Sequence, residues 1–173
     1  MLVPMKKLFK WFGIAIVGLV IAIGSLTFGA RYHDGPLEIF AGGPFKSGEI
    51  LAAPNDWNVL RDRQTVEFQT LEPPISRTIW LVVYDGRLFF TSGYMKSAIG
   101  AKLKRWPYQL EGDNRIILRI DGQLYEQRLH RITSGPDIVP VLDEFGRKYG
   151  DSMGIGAAEV TEGYTWMYEV VGR

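Results

Sequence analysis

The stretch Thr78-Ile-Trp-Leu-Val-Val-Tyr-Asp-Gly-Arg-Leu-Phe-Phe-Thr-Ser92 decides the fold. Asp85-Gly86 is a two-residue turn whose backbone twist matches that of paired strands, so the stretch predicts a hairpin of Thr78–Tyr84 and Arg87–Ser92. Apolar residues occupy both faces, with Ile79, Leu81, Val83, Leu88 and Phe90 on one and Trp80, Val82, Tyr84 and Phe89 on the other. Strands buried on both faces belong in the middle of a barrel with further structure packed outside.

A second hairpin is predicted over Arg115–Ile120 and Gln123–Ile132, around Asp121-Gly122. A two-residue turn pairs Ile120 with Gln123, which fixes the rest of the register. The core face then carries Ile116, Leu118, Ile120, Tyr125 and Leu129. The opposite face collects Arg115, Arg119, Glu126 and Arg128, a charge pattern typical of solvated surface.

The other predicted elements complete a mainly β barrel with α additions. They are a strand at Thr65–Thr70 before Pro73-Pro74, a helix at Tyr94–Arg105 ended by Trp106-Pro107, a helix at Asp137–Tyr149 stopped by Gly150, and a strand at Thr165–Val171. The turn-rich segment 31–56 precedes these elements. It permits at most two short strands, at Leu37–Phe40 and Glu49–Leu51.

An uncharged run over residues 11–30 follows Lys6, Lys7 and Lys10. Twenty residues at about 1.5 Å per residue make a helix of roughly 30 Å, enough to cross the hydrocarbon core of a bilayer. We therefore expect a single-pass membrane protein with a transmembrane anchor in the lipid bilayer. The lysine-rich flank predicts a cytoplasmic N-terminus and an extracytoplasmic domain, in the periplasm if the protein is bacterial. A cleaved signal peptide is the alternative interpretation.

These features divide the chain into a basic flank (1–10), the anchor (11–30), an irregular lead-in (31–56) and a barrel domain (57–173). The net charge is +1, so without the three flanking lysines the remainder carries about −2 (+1 − 3). A net charge this close to neutral disfavours nucleic acid as a partner. Zero cysteines exclude disulfides and cysteine metal sites, and two isolated histidines, His33 and His130, make a poor metal site, so we expect no metal.

Polar side chains gather where the first hairpin opens. If the hairpin ladder continues, Arg77 lies opposite Tyr94 and diagonal to Ser92, on one face. The chain then turns into the predicted helix through Lys96 and Ser97. A guanidinium, hydroxyls and an ammonium group near a helix start favour a phosphate or carboxylate site. The alternative is that Arg77 and Lys96 are ordinary surface charges.

The segment from Arg77-Thr78-Ile79-Trp80 through Phe89-Phe90-Thr91-Ser92-Gly93-Tyr94-Met95-Lys96-Ser97 to Trp106-Pro107 resembles the flavin-binding core of pyridoxamine-phosphate-oxidase-like split β-barrels. The resemblance covers roughly residues 57–133 and implies that FMN phosphate is held by Arg77, Thr91, Ser92 and Lys96 or Ser97. It also implies a homodimer that shares the site. Two cations of the family pattern are missing or displaced, since Val82 stands where a Lys is frequent and Met95-Lys96-Ser97 replaces a Ser-Arg-Lys triplet.

The Gly35–Glu49 stretch is similar to membrane-anchored bacterial proteins of unknown function.

Two further stretches match known motifs in their residues but lack the surroundings that those motifs require. Gly150-Asp151-Ser152-Met153-Gly154 spells a nucleophile-elbow motif, but no strand is predicted before it and no histidine follows it. Gly154-Ile155-Gly156 lacks the third glycine of a dinucleotide fingerprint.

Three functions stay open from the sequence, and it does not decide whether the protein is an enzyme. The first is a non-catalytic, extracytoplasmic binding module for an anionic small molecule, a lipid head group or an envelope partner. The second is an FMN-dependent oxidoreductase-like protein that uses the same pocket. The third is a structural role in which the glycines of the anchor assemble a membrane complex.

Overall fold

The computed structural model describes residues 5–38, 40–97, 100, 104–150 and 155–173. Its helices are α1 (Met5–Ala30), a 3-10 turn (Asn58–Leu60), α2 (Trp106–Gln109), α3 (Ile138–Tyr149) and α4 (Ala157–Thr161). Its strands are β1 (Glu49–Ile50), β2 (Thr65–Thr70), β3 (Ser76–Tyr84), β4 (Arg87–Ser92), β5 (Arg115–Ile120), β6 (Gln123–Ile132) and β7 (Trp166–Gly172).

Six antiparallel strands close into a barrel in the order β6-β5-β2-β3-β4-β7, and β7 returns to pair with β6. The two-residue strand β1 adds to β6 in parallel outside this circle. The expected mainly β barrel with α additions is therefore confirmed, and an apolar helix precedes it.

Both hairpins have the predicted register. Tyr84 pairs with Arg87 in the first, and Ile120 pairs with Gln123 in the second. Asp85 and Asp121 adopt positive φ angles of 51° and 52°, and the glycine after each does the same, as this turn type requires. The Asp-Gly turns thus set which side chains face the barrel interior.

Two apolar clusters cover the two faces of the first hairpin. The interior cluster includes Phe68, Leu81, Phe90, Leu118 and Leu129, each at most 2% exposed. A second cluster lies outside the barrel, where Val82 and Phe89 pack against Val141 and Phe145 of α3. The helix α3 thus supplies the outer layer that the apolar outward face of β3 and β4 requires.

The strands β3 and β4 separate before their ends. Their ladder runs from the turn to the pair Leu81 and Phe90 and stops there. Beyond it, Thr91 and Ser92 pair with β7, while residues 77–80 pair with β2 only. The predicted pairing of Arg77 with Tyr94 is therefore wrong, because the ladder between β3 and β4 ends at Leu81 and Phe90.

Three further sequence predictions need correction. Tyr94–Ser97 is a turn rather than a helix, Gly100 is helical, and residues 98, 99 and 101–103 lie outside the described part of the chain. Trp106 and Pro107 begin α2, because proline suits a first helical turn. Leu37 and Phe40 form one isolated bridge to each other, with residue 39 outside the description.

The charged face of the second hairpin is only partly solvated. The side chain of Arg119 is 14% exposed because the lead-in covers it. Its guanidinium donates to Asp34 Oδ1 at 2.8 Å and to Glu67 Oε2 at 2.6 Å, and it lies 4.3 Å from the ring centroid of Phe45. Arg119 therefore fastens the lead-in to the outside of β2 and β5.

The lead-in joins α1 to the barrel without a flexible linker. Ala30, the last residue of α1, is 1% exposed, and its carbonyl accepts the N–H of Gly43 at 3.1 Å. Gly42 and Ser76 then exchange two backbone hydrogen bonds of 2.9 and 3.2 Å, on the edge of β3 that β4 has left. A Cβ at Gly42 would lie 1.8 Å from the Gly35 carbonyl oxygen, so only glycine fits.

We expect Asp34→Asn to destabilise the barrel in a pH-dependent way. Hydrogen bonds from the Ser47 hydroxyl and the Lys46 N–H, with Arg119 nearby, lower the pKa of Asp34 from 3.8 to about 2. A carboxylate with a lowered pKa stabilises the fold above its unfolded-state pKa, and this contribution disappears as the pH falls through the folded-state value. Unfolding of the full chain in neutral detergent should show a deficit of about 1 kcal/mol at neutral pH that vanishes between pH 4 and pH 2.

The control is Asp143→Asn, which changes an exposed carboxylate on α3 without an ion-pair partner among the described residues. A deficit for Asp34→Asn that is the same at every pH, or that equals the control's, would contradict the role assigned to Asp34.

Candidate functional site

The separation of β3 and β4 opens a cleft of about 2060 Å³ in the side of the barrel. All five residues predicted for the site line it: Arg77, Thr91, Ser92, Lys96 and Ser97. Residues 77–80 of β3 form one wall, and β4 with the turn after it forms another. The volume exceeds the roughly 300–1,000 Å³ of a small-molecule pocket, so the cleft has room for a ring system.

Arg77 is the most unusual charge in the cleft. It lies on the interior side of β3, in register with Phe68 of β2, at the open end of the barrel. Its Nε–H is buried without a hydrogen-bond partner, and no carboxylate among the described residues forms an ion pair with it. Burial lowers the pKa of Arg77 to about 10, which still leaves the guanidinium charged at neutral pH.

Two of the three predicted hydroxyl groups already have partners within the protein. The buried Ser92 hydroxyl lies 3.3 Å from the sulfur of Met95. The Ser97 hydroxyl donates to the Tyr94 carbonyl at 2.9 Å and accepts the Gly100 N–H at 2.8 Å. Thr91 is half-buried and alternates with inward-facing neighbours, so its side chain leaves β4 on the outer side. Arg77 and Lys96 are therefore better placed than the serines to hold an anion.

Two lysines add positive charge to the cleft. Lys96 is exposed, and its Nζ lies 4.8 Å from the ring centroid of Tyr164. Lys104, which the sequence analysis did not single out, donates from Nζ to the Gly93 carbonyl at 3.1 Å. Burial lowers the pKa of Lys104. No pattern in the sequence distinguishes Lys104 from Lys102 and Arg105, so only the fold brings it to this site.

Carboxylates are present in the cleft as well. Glu38, Glu159 and Glu162 line it, and none of them pairs with Arg77, Lys96 or Lys104 among the described residues. Two other cations of the lining are neutralised by ion pairs. Arg63 pairs with Asp121, and Arg119 pairs with both Asp34 and Glu67. The described lining thus holds three cations without an ion-pair partner, Arg77, Lys96 and Lys104, together with three such carboxylates.

Aromatic side chains line the part of the cleft next to α3. Trp80 stacks on Tyr149 with ring centroids 5.0 Å apart and 15° between the planes, and it is still 52% exposed. The Tyr149 hydroxyl oxygen lies 2.6 Å from the Gln64 carbonyl oxygen and 2.8 Å from that of Leu81, at the end of the β2–β3 ladder. These contacts fix Tyr149, which in turn fixes the indole as a flat apolar wall.

The described lining of the cleft offers cations and carboxylates but no histidine, and neither His33 nor His130 belongs to it. Among the described residues no group of three His, Cys, Asp or Glu side chains is arranged to hold a metal ion. Ser152, of the nucleophile-elbow pattern, lies outside the described residues. Arg77 and Lys96 supply cationic groups for an anion, and Trp80, on the opposite face of β3 from Arg77, supplies a flat apolar surface.

Comparisons with known proteins add little about function. No family model and no curated protein matches the sequence. Among solved structures, the fold is similar to an FAD-binding protein from Mesorhizobium loti, with a TM-score of 0.43 and 13% identity, over 71% of this chain and 91% of that chain. A similarity of this degree gives no information about what the present chain binds.

We expect Arg77→Met to stabilise the ligand-free protein. The substitution keeps an apolar side chain as far as the position of Nε but removes a partly buried charge and an Nε–H without a partner, each of which costs free energy in the folded state. Denaturation of the full chain in neutral detergent should show a gain of about 1 kcal/mol. The matched substitution Arg119→Met should instead destabilise the protein, because it breaks two ion pairs. A loss of stability in Arg77→Met would mean that Arg77 has a structural role.

Proposed function

We propose that this chain is a membrane-anchored binding module that holds an anionic small molecule, without catalysing a reaction on it, in the cleft between β3 and β4. The observation that carries the proposal is the Arg77 guanidinium, which is partly buried and has no partner within the described protein. A protein rarely retains an unpaired buried charge unless a ligand completes it. Lys96 and Lys104 add positive charge to the same cleft.

The proposal for location rests on α1. Its segment Phe9–Ala30 has a mean hydropathy of 2.2, and 22 residues make about 33 Å of helix, long enough to cross a membrane. Large apolar side chains on all sides of it are exposed, among them Trp11, Val17, Leu19 and Phe28. The lysine-rich flank supports a cytoplasmic N-terminus, and on this proposal the barrel lies outside the cytoplasm.

An FMN-dependent oxidoreductase-like function is the second candidate. The size of the cleft and the flat Trp80–Tyr149 wall favour it, since an isoalloxazine ring needs both. Arg77 and Lys96 would hold the phosphate, whereas the hydroxyls of Ser92 and Ser97 are engaged elsewhere. When bound, the flavin would supply hydride or electron transfer, and the protein would position it.

The two candidates differ in what the purified full chain binds in neutral detergent. For the binding module we expect a colourless protein that binds glycerol 3-phosphate by calorimetry. Arg77→Gln should weaken this binding by about tenfold or more, because a charge-assisted hydrogen bond contributes about 1.5–3 kcal/mol. The control Arg128→Gln, on an exposed residue outside the cleft, should leave the affinity unchanged.

Flavin absorption bands in the purified protein, or tight binding of added FMN that depends on Arg77, would instead favour the oxidoreductase. Failure of both glycerol 3-phosphate and FMN to bind would contradict the assignment of the cleft as a soluble-anion site.

A further inference from the structure

The cleft reaches the membrane-facing helix. Leu26 of α1 lines the same cavity as Arg77 and Lys96. It precedes the end of α1 by four residues, which at about 1.5 Å per residue is about 6 Å along the helix. The polar headgroup layer of a bilayer is of similar depth, since it adds about 10–15 Å in total to a hydrocarbon core of about 30 Å. Because Phe9–Ala30 is about 33 Å long and the hydrocarbon core is about 30 Å thick, Leu26 lies within about 6 Å of the edge of that core when α1 spans the membrane, and one end of the cleft lies there with it.

The junction between α1 and the barrel holds this end of the cleft in place. Backbone hydrogen bonds from the N–H groups of residues 31–33 continue the last turn of α1, and Gly43 docks on the Ala30 carbonyl. A Cβ at Gly43 would lie 2.2 Å from the Arg31 carbonyl oxygen, so the lead-in passes in direct contact with the helix end. The barrel is thus fixed against the surface from which α1 emerges.

The lining combines apolar residues of the lead-in with the cations of the barrel. The lead-in contributes Pro36, Leu37, Phe40 and Ala41, together with Glu38. Past Gly42, which occupies the edge of β3 at Ser76, the wall becomes the open edge of β3 that carries Arg77. An amphiphile enters such a cleft with its apolar part toward the helix and its anionic part toward the guanidinium.

Two exposed tyrosines of the cleft lie beside its lysines. Tyr94 is 75% exposed and Tyr164 is 47% exposed. The Lys104 and Lys96 ammonium groups lie 5.4 and 4.8 Å from the centroids of these two rings. Tyrosine and lysine concentrate in the interfacial layer, and basic side chains there attract anionic lipids.

We infer that the anion held by Arg77 is the phosphate-bearing headgroup of an anionic phospholipid drawn from the leaflet in which α1 ends. This inference rests on the proposed binding function and names its ligand class. The same phosphate chemistry is available from a free phosphate ester in solution. The direct contact of the cleft with α1 favours the lipid.

The test uses the full chain in nanodiscs made of phosphatidylglycerol and phosphatidylcholine in equal amounts. After release from the discs, native mass spectrometry counts the lipids that stay bound to each protein molecule. We expect phosphatidylglycerol to be retained in preference to phosphatidylcholine. Arg77→Gln should reduce that preference by about tenfold, whereas Arg128→Gln should retain it. Thermal unfolding of both variants verifies that they are folded.

The outcomes separate this inference from the proposed function. Equal retention of both lipids, together with Arg77-dependent binding of glycerol 3-phosphate in detergent, would overturn the lipid source and leave the binding module intact. Failure of both the lipid and the soluble ester to bind would overturn both. Preferential retention that is unchanged in Arg77→Gln would place the lipid elsewhere on the protein and overturn the inference.

Discussion

The rest of the structure depends on where β4 stops pairing with β3. The two strands pair only as far as Leu81 and Phe90, while the other edge of β4 pairs with β7 from Phe89 to Ser92. β4 therefore keeps the barrel closed through β7 and leaves one edge of β3 open. This exposed edge receives Gly42 of the lead-in at Ser76 and borders the cleft over residues 77–80. The docking of the lead-in and the candidate site thus depend on the same separation of β3 from β4.

Two arginines, on the two strands that flank β2, show how the fold separates stability from binding. Arg119 lies on the outer face, where Asp34 and Glu67 neutralise it and it fastens the lead-in. Arg77 lies toward the interior at the open end, where its Nε–H has no partner among the described residues. The first charge is satisfied within the protein, which makes it part of the fold. The second is costly without a ligand, which is why we assign it to function.

Local rules predicted most of the barrel. The Asp-Gly turns fixed the register of both hairpins, and alternation identified the residues of the two apolar clusters. The predictions that were wrong depended on distant partners. Nothing in Phe90-Thr91-Ser92 shows that the ladder with β3 ends at Phe90 while the pairing with β7, more than 70 residues later, continues. The partners of Arg119 and the approach of Lys104 to the cleft likewise follow from tertiary packing. The five predicted site residues all line the cleft, although the pairing that suggested them does not form, and their role in binding stays a prediction.

The central claim is that the Arg77 guanidinium receives an anion, and its own Nε–H resonance reports this most directly. In isotope-labelled full chain in neutral micelles, Arg77→Lys identifies the signal by its disappearance. The account predicts that glycerol 3-phosphate or a short-chain phosphatidylglycerol shifts this resonance downfield and slows its exchange with water, because a buried donor without a partner gains one. An Arg77 resonance that stays unchanged at saturating concentrations of both compounds would contradict the account.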